Sequence, residues 1–428
     1  MSYNETHKIA ESPIASAAPF QKGLALLSSG DEIRSLPGLG WNLLREDLSL
    51  PAAVLYRDKV LHNVAWMKKF IAAYGVKLAP HGKTTMAPAL FSLQLDAGAW
   101  GITLATAHQT AIAYQHSVRR VLMANQLIGK QNRNIVSRLL EDPEFEYFCL
   151  VDSRELVNQL GAFFRERGQR LQVLIELGVE GGRTGARNSS SLEEILLALS
   201  TWRDSLALCG VEIYEGILDD ELQVRTLLNR AVEMTRSFAA RNVFDRNPVI
   251  LSGAGSRWYD VVAEVLAHAE VGTPVEIILR PGCYLTSDAG IYKAAQEQVM
   301  SRNPVARKLK SSLQQAMQLW AYVQSIPENG RAILGLGRRD AAFDAGLPIP
   351  VLHYRPGQPA PGSVPNSWKL SKIMDQHAYM DINHSDDIRV GDMIGLDISH
   401  PCTTFDKWRY ITLLDSEYNV VEVVETFF

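Results

Sequence analysis

From Val60 onward, apolar positions alternate between two spacings. Val60, Val64, Met67 and Ile71 recur at helical intervals, and short apolar runs of strand length then begin. The strand-like runs are Val76–Pro80, Gly101–Ala105, Arg120–Ala124, Tyr147–Val151, Gln172–Leu177, Gly210–Tyr214, Val249–Leu251 and Val275–Leu279. Helical patterns separate them. One carries Leu156, Leu160 and Phe163; another carries Leu192, Ile195, Leu199 and Trp202 behind the capping pair Ser191 and Glu194. Eight strands alternating with helices predict a (β/α)8 barrel, although an open doubly wound sheet gives a similar pattern.

The texture changes near residue 300. A helix is predicted from Arg307 to Leu319, followed by the Pro/Gly-rich HYRPGQPAPGSVPNS and then by short strands split at HSDD, RVGD and LDSEYN. These divide the chain into an N-terminal extension (1–50), a barrel (51–300) and a mostly β domain (301–428). Within the extension and just beyond it, GWNLLREDLSLPAAVLYR reads as a segment crossing between the two domains.

Composition narrows the class. The 428 residues are 46% hydrophobic and 21% charged, with net charge −4, as in a folded globular protein. Lys and Arg are scattered, which argues against a nucleic-acid or membrane-surface partner. No apolar run approaches the roughly 20 residues of a membrane helix, and the first residues lack a secretory pattern. Four widely spaced cysteines form no disulfide framework, so a reducing cytoplasm is expected.

Three local features carry chemistry. In LAPHGKTTMAP a strand ends in His81, Gly82 and Lys83 before a helix begins. A lysine at the mouth of a barrel's first strand stands where barrel active sites are built, and Schiff-base chemistry needs such a partly desolvated amine. An isolated Gly-Lys is otherwise an ordinary loop, and the P-loop spacing is absent. The loops after the last two strands, Ser252-Gly253-Ala254-Gly255-Ser256 and Arg280 to Tyr284, are glycine-rich where barrels bind phosphate. In GLDISHPCTTFDKW, His400 and Cys402 lie two apart, so on an extended strand both project from one face. They are a zinc-type pair open to water or substrate, or a buried cysteine beside a surface histidine. His377 is a candidate further ligand or acid/base.

Taken together, PHGKTTMAP, GAWGITLAT, VLMANQLIG, IELGVEGGRTG, YEG, SGAGS, RPGCY and HPC resemble, in order, the D-threonine aldolase and D-serine dehydratase family. This is the alanine-racemase-like group of pyridoxal-phosphate enzymes, and the likeness runs from about Gly40 to the end. It implies that Lys83 carries pyridoxal phosphate and serves as base. The phosphate would lie on Ser252, Gly253, Ala254, Gly255, Ser256, Gly282 and Cys283, with Tyr284 also at the cofactor. Arg183 would lie near the ring's phenolic oxygen, with Gln126 and Tyr214 lining the cofactor. His400 and Cys402 would bind a divalent metal, zinc in the first place, with manganese or magnesium as alternatives. A homodimer acting on a small D-amino acid is also implied. Relatives commonly carry histidine where this chain has Thr85 and Ile217, which leaves the substrate open.

The expected reaction is dehydration of a D-3-hydroxy amino acid, of the D-serine or D-threonine type, to a 2-oxo acid and ammonia. Aldol cleavage is the alternative, and the cysteine in HPC favours dehydration. Behind these stand a racemase and a non-catalytic cofactor carrier.

Overall fold

The computed structural model describes residues 20–27, 36 and 38–428. Much of the 1–50 extension therefore lies outside the described residues. Strand β1 (Ala52–Tyr56) is followed by β2 (Lys77–Leu78), β3 (Ile102–Leu104), β4 (Arg120–Gln126), β5 (Glu146–Val151) and β6 (Leu171–Leu177). Next come β7 (Leu206–Ile213), β8 (Val249–Gly253) and β9 (Val275–Leu279). Strands β3 to β9 pair in parallel in chain order, and β9 pairs with β2. The gap between β2 and β3 is closed by Trp100 donating to the Leu78 carbonyl at 2.7 Å and Thr103 to Pro80 at 2.9 Å. The result is the (β/α)8 barrel.

Alternation along the strands divides its interior into layers. Inward-facing Leu122, Phe148, Leu150, Leu174, Ile250 and Ile278 fill the lower part with apolar side chains. One or two steps further along the same faces come Gln126, Glu176, Glu212 and Arg280. The floor is oil-like and the mouth is charged.

Helices cover the barrel between strands. The one predicted around Leu192 spans Ser189–Thr201, and its cap is Asn188 with Ser191 rather than Ser191 with Glu194. The Asn188 side chain accepts the Ser191 amide at 2.9 Å, so the helix starts earlier than the apolar spacing suggests.

The second sheet has ten strands. Three expectations change here. Ala52–Tyr56 falls inside the 51–300 bounds expected for the barrel, but β1 pairs antiparallel with β10 (Met317–Glu328) and parallel with the strand Tyr410–Leu414, so it belongs to the second domain and the chain crosses to the barrel after it. The barrel's helices run on past residue 300, through Ile291–Arg302 and Pro304–Lys308. The helix predicted over Arg307–Leu319 does not form, because Lys310 turns left-handed (φ 57°) and Met317 to Leu319 are already paired in β10. Among the described residues no helix is long and apolar enough to cross a membrane.

Candidate active site

The strand β2 ends in a tight turn over Gly82–Thr84. A Cβ on Gly82 would lie 2.6 Å from Ile102 and 2.8 Å from Phe91, so only glycine lets the chain pass. That turn leaves the Lys83 side chain exposed at the mouth, where it makes no hydrogen bond or ion pair with described residues. Neighbouring Thr84 and Thr85 are buried.

Below the lysine is a buried polar cluster. Arg280 is ion-paired with Glu212, both with side chains no more than 2% exposed. It also donates to the Ile213 carbonyl at 2.9 Å and approaches His81 Nε2 at 3.4 Å. Burial, with the Arg280 and Lys83 charges, holds the His81 imidazole far below its usual range, so the ring is neutral. Burial pushes the Glu212 carboxyl upward, against the pull of Arg280. Three buried atoms here have no partner: Arg280 Nε, Glu212 Oε2 and His81 Nδ1. Buried polar atoms are ordinarily satisfied, so unmatched ones at a barrel mouth fit a polar guest.

Farther around the rim, the Arg183 guanidinium lies over the Tyr214 ring, 4.2 Å from its centroid. Gln126 donates to Glu176 at 2.5 Å, and Glu176 also accepts from the Thr184 hydroxyl at 2.6 Å.

The glycine loops are held by a residue that the sequence reading missed. Glu215, wholly buried, accepts the Ala254 amide at 3.0 Å and the Gly255 amide at 2.6 Å. It pins Ala254 at φ 77°, a left-handed angle unusual for a residue with a Cβ. The Ser256 hydroxyl accepts the Cys283 amide at 3.1 Å, joining the two loops. Gly282 packs where a Cβ would meet His81 and Thr84 at 2.7 Å. The amides of Ser256 and Gly282 are left without an acceptor among the described residues. Two other residues of the set turn elsewhere: the Ser252 hydroxyl donates to the Ile278 carbonyl, and the Tyr284 hydroxyl accepts from Gln94. We expect Glu215→Ala to strip two buried amides of their acceptor and cost about 1–3 kcal/mol. Urea unfolding measures it, and a change below about 0.5 kcal/mol, the range of a surface substitution, would show the loop to be held otherwise.

The second domain reaches the same mouth. His400 and Cys402 do not share a strand: the chain turns at Pro401, and Cys402 starts the single helical turn Cys402–Phe405. The turn nevertheless puts both side chains together. His400 Nδ1 is 2.7 Å from Asp344, which also accepts from the Thr403 hydroxyl at 2.8 Å. The Cys402 sulfur, with the Asp344 carboxylate, raises the imidazole to about 9. The Cys402 thiol is held far below its usual range by a hydrogen bond from Cys283, helped by His400 and the Lys83 charge. Cys402 also lies 3.4 Å from the Thr84 hydroxyl. Among the described residues no three His, Cys, Asp or Glu side chains form a ready cage, so two donors is the set on offer. His377 is not part of this site. It is exposed in the hairpin turn between Lys369–Ile373 and Ala378–Asp381, in a shallow surface cleft with Arg338, Lys372 and Met374.

Residues 316–414 match the family model "Putative serine dehydratase domain". A D-threo-3-hydroxyaspartate dehydratase of Delftia sp. is 31% identical over 138 residues, 32% of this chain and 36% of that one. The chain thus matches about a third of that relative's length. A 3-hydroxy-D-aspartate aldolase of Paracoccus denitrificans is 21% identical over 75% of this chain and 79% of its own. The D-threonine aldolase of Filomicrobium marinum superposes with a TM-score of 0.73 at 21% identity, covering 90% of this chain and 97% of that one. The matched family model, the curated relatives and the solved structures together bear out the resemblance to the D-threonine aldolase and D-serine dehydratase family. The chain shares the alanine-racemase-like fold of these structures, and the dehydratases and aldolases it resembles are lyases. The dehydratase of Delftia sp. has also been solved with a histidine changed to alanine, and with a cysteine two positions later changed to alanine in the metal-free form.

Proposed function

We propose that this protein dehydrates a D-3-hydroxy amino acid, of the D-serine or D-threonine type, to a 2-oxo acid and ammonia, using pyridoxal phosphate and a divalent metal. The observation that carries the reading is the convergence of two donor sets in one mouth. The unpartnered Lys83 amine rises from the barrel, and the His400–Cys402 pair reaches over from the second domain, with the Cys402 sulfur 3.4 Å from the hydroxyl of Thr84, the residue next to Lys83.

Pyridoxal phosphate, when bound, supplies an electron sink that eases loss of a Cα substituent. Lys83 is the residue to hold it, and the free amides of Ser256 and Gly282 suit its phosphate. Arg280, Glu212 and His81 offer their unmatched atoms to a polar ring beneath the lysine. Lys83 Nζ, exposed at the mouth, would also take the Cα proton of a substrate there. A metal, when bound, supplies a Lewis acid for the β-hydroxyl. His400 would offer it Nε2, because Nδ1 faces Asp344, and second-sphere carboxylates orient imidazole ligands in this way. Cys402 would offer a thiolate, and a mixed nitrogen and sulfur pair favours zinc.

The spacing of the altered histidine and cysteine in the Delftia sp. dehydratase equals that of His400 and Cys402, which supports dehydration. Aldol cleavage is the second reading, supported by the aldolase relative that spans most of the chain. Incubation with D-serine, D-threonine and D-threo-3-hydroxyaspartate separates the two. We expect 2-oxo acid and ammonia in equal amounts. Glycine with an aldehyde and no 2-oxo acid would establish the aldolase instead.

A further inference from the structure

The sulfurs of Cys283 and Cys402 are 3.7 Å apart, and the two residues come from different domains. Cys283 lies in the turn after β9, and Cys402 follows the second-domain strand Met393–Asp397. Their approach is fixed by backbone around them. The Ala289 amide donates to the Ile398 carbonyl at 2.9 Å, and a Cβ on Gly290 would lie 2.8 Å from the Ser399 carbonyl oxygen. A disulfide bond is about 2.05 Å long, so the two sulfurs have to approach by less than about 2 Å to bond. Cys402 is partly exposed, whereas Cys283 is buried directly behind it. Cys149 and Cys209 are buried in the barrel wall and have other neighbours.

We propose that Cys283 and Cys402 are a reversible oxidation site that takes a disulfide-class oxidant and closes a covalent bond between the barrel and the second domain. With glutathione disulfide, the Cys402 sulfur attacks one oxidant sulfur and expels one glutathione. The Cys283 sulfur then attacks Cys402 and expels the second. Two thiols lose two electrons and two protons, and one glutathione disulfide is reduced to two glutathiones. Bond formation depends only on the geometry. Its consequence rests on the function proposed above: a disulfide removes the Cys402 thiolate from the metal pair, so oxidation would switch off the reaction and reduction would restore it.

The test uses the full-length protein as purified and, in parallel, after chelation. Each is treated with glutathione disulfide, digested without reductant and mapped by mass spectrometry. We expect a linked Cys283–Cys402 peptide, a fall in titratable thiols from the four free cysteines to two, and recovery with dithiothreitol. A link that forms only after chelation also supports the site, with metal shielding Cys402. Cys283→Ser should stop at a glutathione adduct on Cys402, and Cys402→Ser should form no link. A wild-type protein that carries glutathione on Cys402 beside a free Cys283 overturns the proposal. So does a link to Cys149 or Cys209, or four unmodified thiols in both preparations. None of these results depends on turnover, so failure here is distinct from failure of the proposed reaction.

Discussion

Cys402→Ala should lower the release of 2-oxo acid from D-serine by roughly 10²–10⁴-fold, the rate equivalent of several kcal/mol of Lewis-acid stabilisation. Hydroxide is a poor leaving group, and His400 alone is a weak metal site. The chelated wild type should behave in the same way and recover with added zinc. Cofactor attachment at Lys83 should persist in both, because the donors that would hold the cofactor lie in the barrel while the metal pair lies in the second domain. Metal content and turnover, measured on the same samples, decide the point. Full-rate dehydration by metal-free protein would remove the metal from the mechanism. Loss of bound cofactor together with metal would mean that the two sites are not separable.

Lys83→Ala should abolish covalent cofactor attachment and, from the loss of its role as base alone, lower turnover by roughly 10²–10⁴-fold. Stability should change by no more than about 0.5 kcal/mol, since the side chain is exposed and unpartnered. Lys83→Arg should fail equally, because a guanidinium keeps the charge but cannot form the covalent link. Absorbance of the dialysed protein, turnover and thermal unfolding together check this. A variant that keeps the cofactor through dialysis and turns over at the wild-type rate would place the chemistry on another lysine.

The barrel was legible because its signal is local. Each strand is a short apolar run, each helix a run at helical spacing, and the order of the two repeats. The crossing of GWNLLREDLSLPAAVLYR between the domains was legible, but the start of the barrel was not, because only the partners of β1, Met317–Trp320 and Thr412–Leu414, reveal that it joins the second sheet. The stretch before β10 misled for a related reason: Leu309, Leu313 and Ala316 are apolar at intervals that suit a helix, but Lys310 turns the backbone left-handed.

In the site, Lys83, Gly82, His400 and Cys402 could be found because their chemistry is carried by neighbours in the chain. Their geometry was less visible, since Pro401 replaces the expected strand with a turn. The supporting shell was hidden. Glu215 serves amides 39 and 40 residues away, and Glu212 meets Arg280 across 68. An acidic residue directly after a barrel strand, facing a glycine-rich loop on the next, is the signal that could have pointed to Glu215. His377 had no such context, and its exposed hairpin turn shows how little an isolated histidine says.

Borohydride reduction of the purified protein, followed by peptide mapping, tests most directly whether Lys83 carries the cofactor. The account predicts one pyridoxyl label, on the peptide containing Lys83. A label on Lys77, Lys130 or Lys293 would contradict it, as would unlabelled protein after saturation with pyridoxal phosphate.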